Sequence, residues 1–261
     1  MSASERASGA DAFEARYARL FGERWPSLRA ALLAPSRQVA FSDCLEKPYY
    51  LDAASVEAAL ALPPLEGESD GSILDMCAAP GGKTLVLASR FPAPARITAN
   101  ELSRDRRSRL LSVLEEHLNG ESLARVSVTG RDAARWSRFE TDAYDRVLLD
   151  APCSSERHVL SSPVHLAQWS EARVRNLAVR QWALLSGAFL VLRKGGFLVY
   201  ATCALSPEEN DGVVSRLAKK YPNARIVDPG GIGERTEFGA HVLPDRADGA
   251  GPIYYALVGK E

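Results

Sequence analysis

The segment Ser72–Thr84, SILDMCAAPGGKT, constrains the fold of this chain more than any other. Ile73 and Leu74 read as a buried strand that closes on Asp75. Pro80, Gly81 and Gly82 let the backbone turn tightly and approach a ligand. A helix then begins, and its first N–H groups face whatever the turn holds. A strand, a glycine turn and a helix N-terminus in that order form a cofactor-binding unit of doubly wound α/β proteins. A phosphate-cradling P-loop is excluded by spacing. Gly82-Lys83-Thr84 supplies its end, but the required first glycine falls at Cys77. The dinucleotide pattern G-x-G-x-x-G does not occur either.

Beyond this segment the pattern alternates. Strands are predicted at Ser72–Cys77, Arg96–Ala99, Arg125–Thr129, Arg146–Asp150, Gly196–Thr202, Arg225–Val227 and Ile253–Val258. Helices are predicted at Lys83–Ser89, Ser103–Leu118, Ser170–Leu192 and Pro207–Lys220. Such alternation implies a mostly parallel, seven-stranded sheet covered on both faces, with ligands at the carboxyl ends of the strands. Ahead of it, Phe13, Tyr17, Leu20, Phe21, Leu28 and Leu32 recur at helical spacing and predict a helical pair broken near Pro26. Residues 1–10 read as disordered, and Pro63 to Gly71 as a linker. The expected organisation is an N-terminal helical extension over 1–48 and a main domain over 49–261. Pro229–Gly251, rich in glycine and proline, is long for a loop and reads as a lid over the pocket.

Apolar residues make up 46% of the chain and charged residues 25%, the composition of a water-soluble globular protein. No apolar run approaches a membrane span and no secretion signal opens the sequence, so a cytoplasmic location is expected. Cys44, Cys77, Cys153 and Cys203 are scattered without a C-x-x-C pair, which fits free thiols and no metal site. The net charge of −1 does not advertise a nucleic-acid binder. Basic residues do cluster locally, at Arg104, Arg106, Arg107 and Arg109 and again from Arg173 to Lys194. These clusters read equally well as solvated helix faces.

The notable residues all fall at strand ends. Glu101 follows the second strand, where an acid accepts from two ribose hydroxyls. Asp132 follows the third, where it suits an adenine amino group. Asp150-Ala151-Pro152-Cys153 closes the fourth strand, and Thr202-Cys203 the fifth. Paired thiols above a nucleoside-shaped site point to methylation at carbon 5 of a pyrimidine. Carbon 5 of cytosine is not nucleophilic until a thiolate adds at carbon 6. The attacking thiol must ionise, and the Asp150 carboxyl suits the amino and ring-nitrogen edge of the base. From this chemistry alone, either cysteine qualifies as the attacking one.

Six motifs in order, YYLDAAS, DMCAAPGGKT, NELSRDR, GRDAARW, DRVLLDAPCSSERH and YATCALSPEEND, resemble the Sun/Nop-type RNA cytosine-5 methyltransferases, as does the closing HVLPDRADGAGPIYYALV. The resemblance runs from Tyr49 to the C-terminus, and the ERH after the cysteine motif is most similar to the branch of the mitochondrial rRNA enzyme. It implies a Rossmann-like methyltransferase fold and S-adenosylmethionine as cofactor. Cys77, Ala78, Ala79, Pro80, Gly81, Gly82 and Lys83 would wrap the methionine part, Glu101 the ribose and Asp132 the adenine. Arg106 would belong to the same cofactor set. Asp150 would stand between methyl donor and cytosine. Cys203 would be the nucleophile, with Cys153 assisting product release.

Many members of that family carry a large N-terminal RNA-binding region, whereas only a short helical segment precedes the match. With near-neutral charge, the implied substrate is structured, an rRNA within a ribosomal particle, or one delivered by a partner protein. tRNA is the alternative substrate, and a non-catalytic assembly factor the alternative role. Arg157 and His158 are placed to touch RNA phosphate or, equally, to pack a loop.

Overall fold

The computed structural model describes residues 8–66 and 70–261. Chain order runs α1 (Gly9–Phe21), α2 (Trp25–Leu33), β1 (Gln38–Phe41), β2 (Tyr49–Asp52), α3 (Ala53–Leu60), β3 (Ser72–Asp75), α4 (Gly82–Arg90), β4 (Arg96–Asn100), α5 (Arg104–His117) and α6 (Gly120–Ala124). It continues with β5 (Val126–Thr129), β6 (Tyr144–Asp150), α7 (Glu156–Leu160), α8 (Pro163–Ala167), α9 (Glu171–Val191), β7 (Leu192–Thr202), α10 (Asp211–Lys220), β8 (Ala224–Val227), β9 (Glu234–Arg235), β10 (Ala240–Val242) and β11 (Ile253–Lys260).

One sheet organises these elements in the order β5-β4-β3-β6-β7-β11-β10-β9, with β8 also paired to β11. From β5 to β7 every pairing is parallel, and β11 runs antiparallel to β7. The chain winds outward from β3 through β4 to β5 and then returns to β6 on the other side. That reversal opens a crevice at the carboxyl ends of β3, β4 and β6. Burial follows the strand pleat. Along β6, Val147 and Leu149 pack on α9 and α10 residues, while Leu148 packs on the α3–α5 side. Both faces are covered, so the strands read as near-continuous apolar runs.

All seven expected strands and the expected helices are present, and the short strands β9 and β10 add to the same sheet. Several details differ. The first turn of α1 is fixed by a capping box in which Ser8 and Asp11 satisfy each other's backbone, so residues 8–10 of the stretch expected to be disordered are ordered; residues 1–7 lie outside the described residues. The break between α1 and α2 falls at Gly22–Arg24, and Pro26 opens α2, where its missing N–H costs nothing. Pro63 and Pro64 are not a free tether, because Arg146 donates to both carbonyls at 2.7 and 2.6 Å; residues 67–69 of that stretch lie outside the described residues. Helix α10 starts at Asp211, since Pro207–Asn210 form a turn. Strand β7 starts four residues earlier than expected, at Leu192.

Pro229–Gly251 is not a lid. It is built into the sheet edge through β9 and β10 and tied down by polar contacts. Asp211 accepts from Thr236 Oγ1, Tyr254 Oη and the Phe238 amide. Arg24 forks onto both Glu234 and Asp245. Helices α1 and α2 pack Phe13, Tyr17, Trp25, Leu28 and Leu32 against Val159, Leu160, Trp169, Val174, Leu205 and Leu243. They thereby lie against the loops that follow β6 and β7.

Candidate active site

The glycine turn after β3 is shaped by contacts that a side chain would break. Gly81 has φ +124° and caps α4; a Cβ there would lie 3.0 Å from Val113 Cγ1. Gly82 is pressed against Tyr49, whose Cε1 would be 2.7 Å from an added Cβ. A cleft above this turn is lined by Cys77, Ala78, Ala79, Pro80, Gly82, Lys83, Asp150, Asp75, Tyr49, Leu51 and Ser55. Gly81 itself faces α5 rather than the cleft. At Cys77 this cleft meets a second one lined by Asn100, Glu101, Arg106, Asp132 and Arg180. The expected cofactor residues therefore form one trough across the ends of β3, β4 and β5.

Glu101 is buried, accepts from the Ser103 amide at 2.9 Å and pairs with Arg106 at 3.2 Å. Arg106 also donates to the Ala79 carbonyl at 2.9 Å, joining the glycine turn to the Glu101 end of the trough. Asp132 sits at the rim, half-exposed, and accepts from the Ala134 amide. Burial pushes the Cys77 thiol up to about 12, so it stays protonated and unreactive.

Asp75 was named in the sequence only as a strand end. It is fully buried, its Oδ2 accepts from Thr84 Oγ1 at 2.7 Å, and its Oδ1 has no partner among the described residues. Burial pushes its carboxyl up to about 7. An unsatisfied acceptor in a cleft wall is what a ligand amino group would complete. With a glycine turn, a helix N-terminus and acids at successive strand ends, the trough fits a charged amino-acid–nucleoside conjugate such as S-adenosylmethionine.

Lys83 donates to Asp150 Oδ2 at 2.8 Å and to Ser55 Oγ at 3.3 Å. Burial alone would lower the lysine, but the Asp150 carboxylate outweighs it and leaves Lys83 raised and charged. Ser55 also lines a third cleft, of about 410 Å³, with Ser36, Asp52, Ser155, Arg157, His158, Ser161, Cys203 and Gly251. The Lys83–Asp150 pair thus stands where the trough and this cleft meet.

The two cysteines come together beside that junction. Strands β6 and β7 are parallel neighbours with Asp150 opposite Ala201, so Cys153 and Cys203 leave adjacent strand ends. Their Sγ atoms lie 3.0 Å apart. Ser155, held at φ +54°, brings its Oγ to 3.3 Å from Cys203 and 3.6 Å from Cys153. Hydrogen bonds from Cys153 and Ser155 lower Cys203 below an ordinary thiol despite burial. Donation to Cys203, with burial, raises Cys153 well above one. A shared hydrogen bond lets one of the two thiols ionise at the expense of the other, and the nearer Ser155 hydroxyl favours Cys203 as that one. Ser55, Asp52 and Ser155 were not singled out in the sequence; only the presence of YYLDAAS and CSSERH among the matching motifs hinted at them.

Arrangement and strand order together define a class I methyltransferase fold. Among solved structures the chain is similar to a methyltransferase homologue from Pyrococcus horikoshii, with TM-score 0.76 and 22% identity over 95% of this chain and 94% of that one. It is similar also to NSun6 from Pyrococcus horikoshii, solved with SFG, with TM-score 0.69 and 27% identity over 84% of this chain and 54% of that one. The chain belongs to the family of the 16S rRNA methyltransferase RsmB/F, whose model matches residues 59–258. Curated relatives include the mitochondrial tRNA (cytosine(34)-C(5))-methyltransferase of Mus musculus, 34% identical over 83% of this chain and 64% of the relative. The 5-cytosine rRNA methyltransferase NSUN4 of Bos taurus is 41% identical over 64% of this chain and 43% of the relative. Ribosomal RNA small subunit methyltransferase F of Escherichia coli is 34% identical over 77% and 42%. The chain thus spans roughly half the length of the curated relatives it matches. No helix among the described residues is long and apolar enough to cross a membrane.

Proposed function

We propose that this protein methylates carbon 5 of cytosine in RNA. The observation that carries the reading is the Cys153–Cys203 pair, 3.0 Å apart at the ends of adjacent strands and next to the Lys83–Asp150 junction. S-adenosylmethionine, held by the trough from Cys77–Lys83 to Glu101, Arg106 and Asp132, supplies a sulfonium methyl group. Cys203 adds as thiolate to carbon 6 of the base, making carbon 5 nucleophilic. Asp150 accepts from the amino group on the Watson–Crick edge of the cytosine, and Lys83 holds that carboxyl group in orientation. After carbon 5 has gained the methyl group it gives up its proton to water in the cleft, and the electron pair left behind restores the carbon 5–carbon 6 double bond as the carbon 6–sulfur bond breaks and Cys203 leaves as thiolate. Cys153, retained as thiol, donates a hydrogen bond to that leaving sulfur and assists release.

Residues 49–261 would form the methyltransferase unit, and 1–48 an extension that braces its RNA-facing loops. The target base has to leave its stack to reach Cys203, which single-stranded or junction RNA permits at least cost. Arg157 and His158 line the mouth of the Cys203 cleft. Among the described residues Arg157 forms no ion pair and donates to the Ala34 and Gly249 carbonyls, which suits it to an RNA phosphate. The substrate we favour is rRNA, in a ribosomal particle or brought by a partner protein. Similar relatives are named for a mitochondrial tRNA enzyme and for an rRNA enzyme; the compartment we favour for this protein is the cytoplasm.

The test is methyl transfer from labelled S-adenosylmethionine to purified small ribosomal subunits, free rRNA and tRNA, with bisulfite mapping. Label at a single cytosine of one RNA supports the reading and names the substrate. Label on no RNA, or on a nucleobase other than cytosine, overturns it.

A further inference from the structure

We infer that Glu156 is a positioning residue that holds the two thiol loops in register, and that Tyr17 of α1 completes the same device. The inference rests on the two-thiol chemistry proposed above.

Glu156 follows Cys153 by three positions and is fully buried. No cation pairs with it among the described residues. Its charge is accommodated by three donors from three separate segments. Ser154 Oγ donates to Oε1 from the Cys153 loop. The Leu205 amide donates to Oε2 at 2.9 Å from the Cys203 loop. Tyr17 Oη donates to Oε1 from α1, 139 positions away, and lies 3.0 Å from Ser206 Oγ, again on the Cys203 loop. Only a carboxylate offers acceptor sites in these directions with no hydrogen of its own to place. Glu156 therefore ties the residue after Cys153 to the second residue after Cys203.

Tyr17 is itself immobilised. Its ring lies 4.5 Å from that of Phe13, 5.4 Å from Trp25 and 6.0 Å from Trp169. A second buried acid, Glu209, braces the other side by accepting from the Ser154 amide at 3.0 Å and Gln181 Nε2 at 2.7 Å. None of these groups lines the cofactor trough. The N-terminal extension thus reaches the thiol pair through one tyrosine and one carboxylate, and the spacing of the sulfurs depends on both. The same charge works against ionisation of both thiols, so a neutral replacement has a signature of its own.

The test compares Glu156→Ala, Glu156→Gln and Tyr17→Phe with the native chain. Three readouts are used: the affinity for S-adenosylhomocysteine, the pH profile of adduct formation with 5-fluorocytidine RNA, and capture of phenylarsine oxide, which needs two thiols held close. For Glu156→Ala the expected result is cofactor affinity within twofold, loss of arsenical capture and at least tenfold slower adduct formation. Tyr17→Phe gives a smaller loss in the same direction. Glu156→Gln keeps one acceptor oxygen for the Ser154 and Tyr17 hydroxyls but sets its own amide hydrogens against the Leu205 amide, so it recovers capture in part and moves the adduct profile to lower pH. Unchanged capture and adduct rate in Glu156→Ala overturn the inference. So does a parallel loss of cofactor affinity, melting temperature and capture that glutamine does not rescue. If the native chain captures the arsenical but forms no adduct on any RNA, the methyltransferase reading has failed, and capture alone decides the role of Glu156.

Discussion

Cys153 Sγ lies 3.0 Å from Cys203 Sγ although fifty positions separate the two residues. The parallel pairing of β6 with β7 makes that contact, since Asp150 and Ala201 are register partners and each cysteine lies a few residues beyond. One thiol donates and the other accepts, so a pair of identical side chains acquires two different acidities.

That difference is measurable without substrate. At pH 7, iodoacetamide alkylates Cys203 faster than Cys153, read by peptide mass spectrometry over time. Hydrogen bonding from Cys153 is the largest cause of the lowered Cys203 value, so Cys153→Ala moves the Cys203 profile to higher pH and slows its alkylation at pH 7. Equal rates in the native chain would remove the asymmetry.

Asp75 sets a pH dependence of stability. Its carboxyl is raised from the ordinary 3.8 to about 7, so the native state holds a proton that the unfolded chain releases. The associated stabilisation is complete below about pH 4 and is lost as pH rises through about 7. Asp75→Asn, which still accepts from Thr84, therefore gains melting temperature relative to the native chain on going from pH 5 to pH 8. Its affinity for S-adenosylhomocysteine falls, because the free Oδ1 acceptor is part of the trough. Glu209, also raised to about 7, adds to the native slope, while His241, lowered to about 4 by burial, opposes it. The variant-minus-native difference isolates Asp75.

Gly81→Ala is expected to destabilise by about 1–3 kcal/mol, because φ +124° strains any L side chain. The methyl would also meet Val113, pushing α5 and with it Arg106 away from Ala79. Calorimetry should show weaker cofactor binding beside the lowered melting temperature. An unchanged affinity would mean that the turn is scaffold alone.

Lys83→Met removes the cation from Asp150 at the meeting of the two clefts. Losing one preorganised charge at a reacting centre costs on the order of 10²-fold in turnover. Single-turnover methylation should fall by that much, with the fold intact by circular dichroism.

Much of this was legible in the sequence. The alternation of apolar runs with helical periodicity marked all seven expected strands, because a parallel sheet covered on both faces needs continuous Val/Ile/Leu stretches such as Val147–Leu149. The gathering of Cys77–Lys83, Glu101, Arg106 and Asp132 about adjoining clefts was legible because these residues follow one another through a single turn and successive strand ends. The ribbon of β1 and β2 was not, since four-residue strands of mixed burial carry little pattern. Pro229–Gly251 was misread for a similar reason: glycine and proline signalled a loop, but the segment is fixed by tertiary contacts to Arg24 and Asp211. Glu156 and Asp75 looked like ordinary acids. What distinguishes them is burial among donors or beside a cleft from distant segments, which no local spacing encodes.

The most direct test of the central claim is covalent trapping. The native chain, Cys203→Ala and Cys153→Ala are incubated with S-adenosylmethionine and RNA in which 5-fluorocytidine replaces cytidine, then run on a denaturing gel. Fluorine at carbon 5 prevents proton loss, so the sulfur–carbon 6 bond persists. An adduct in the native chain and Cys153→Ala, with none in Cys203→Ala, is the predicted result. An adduct lost only in Cys153→Ala would reverse the roles of the thiols and contradict the account.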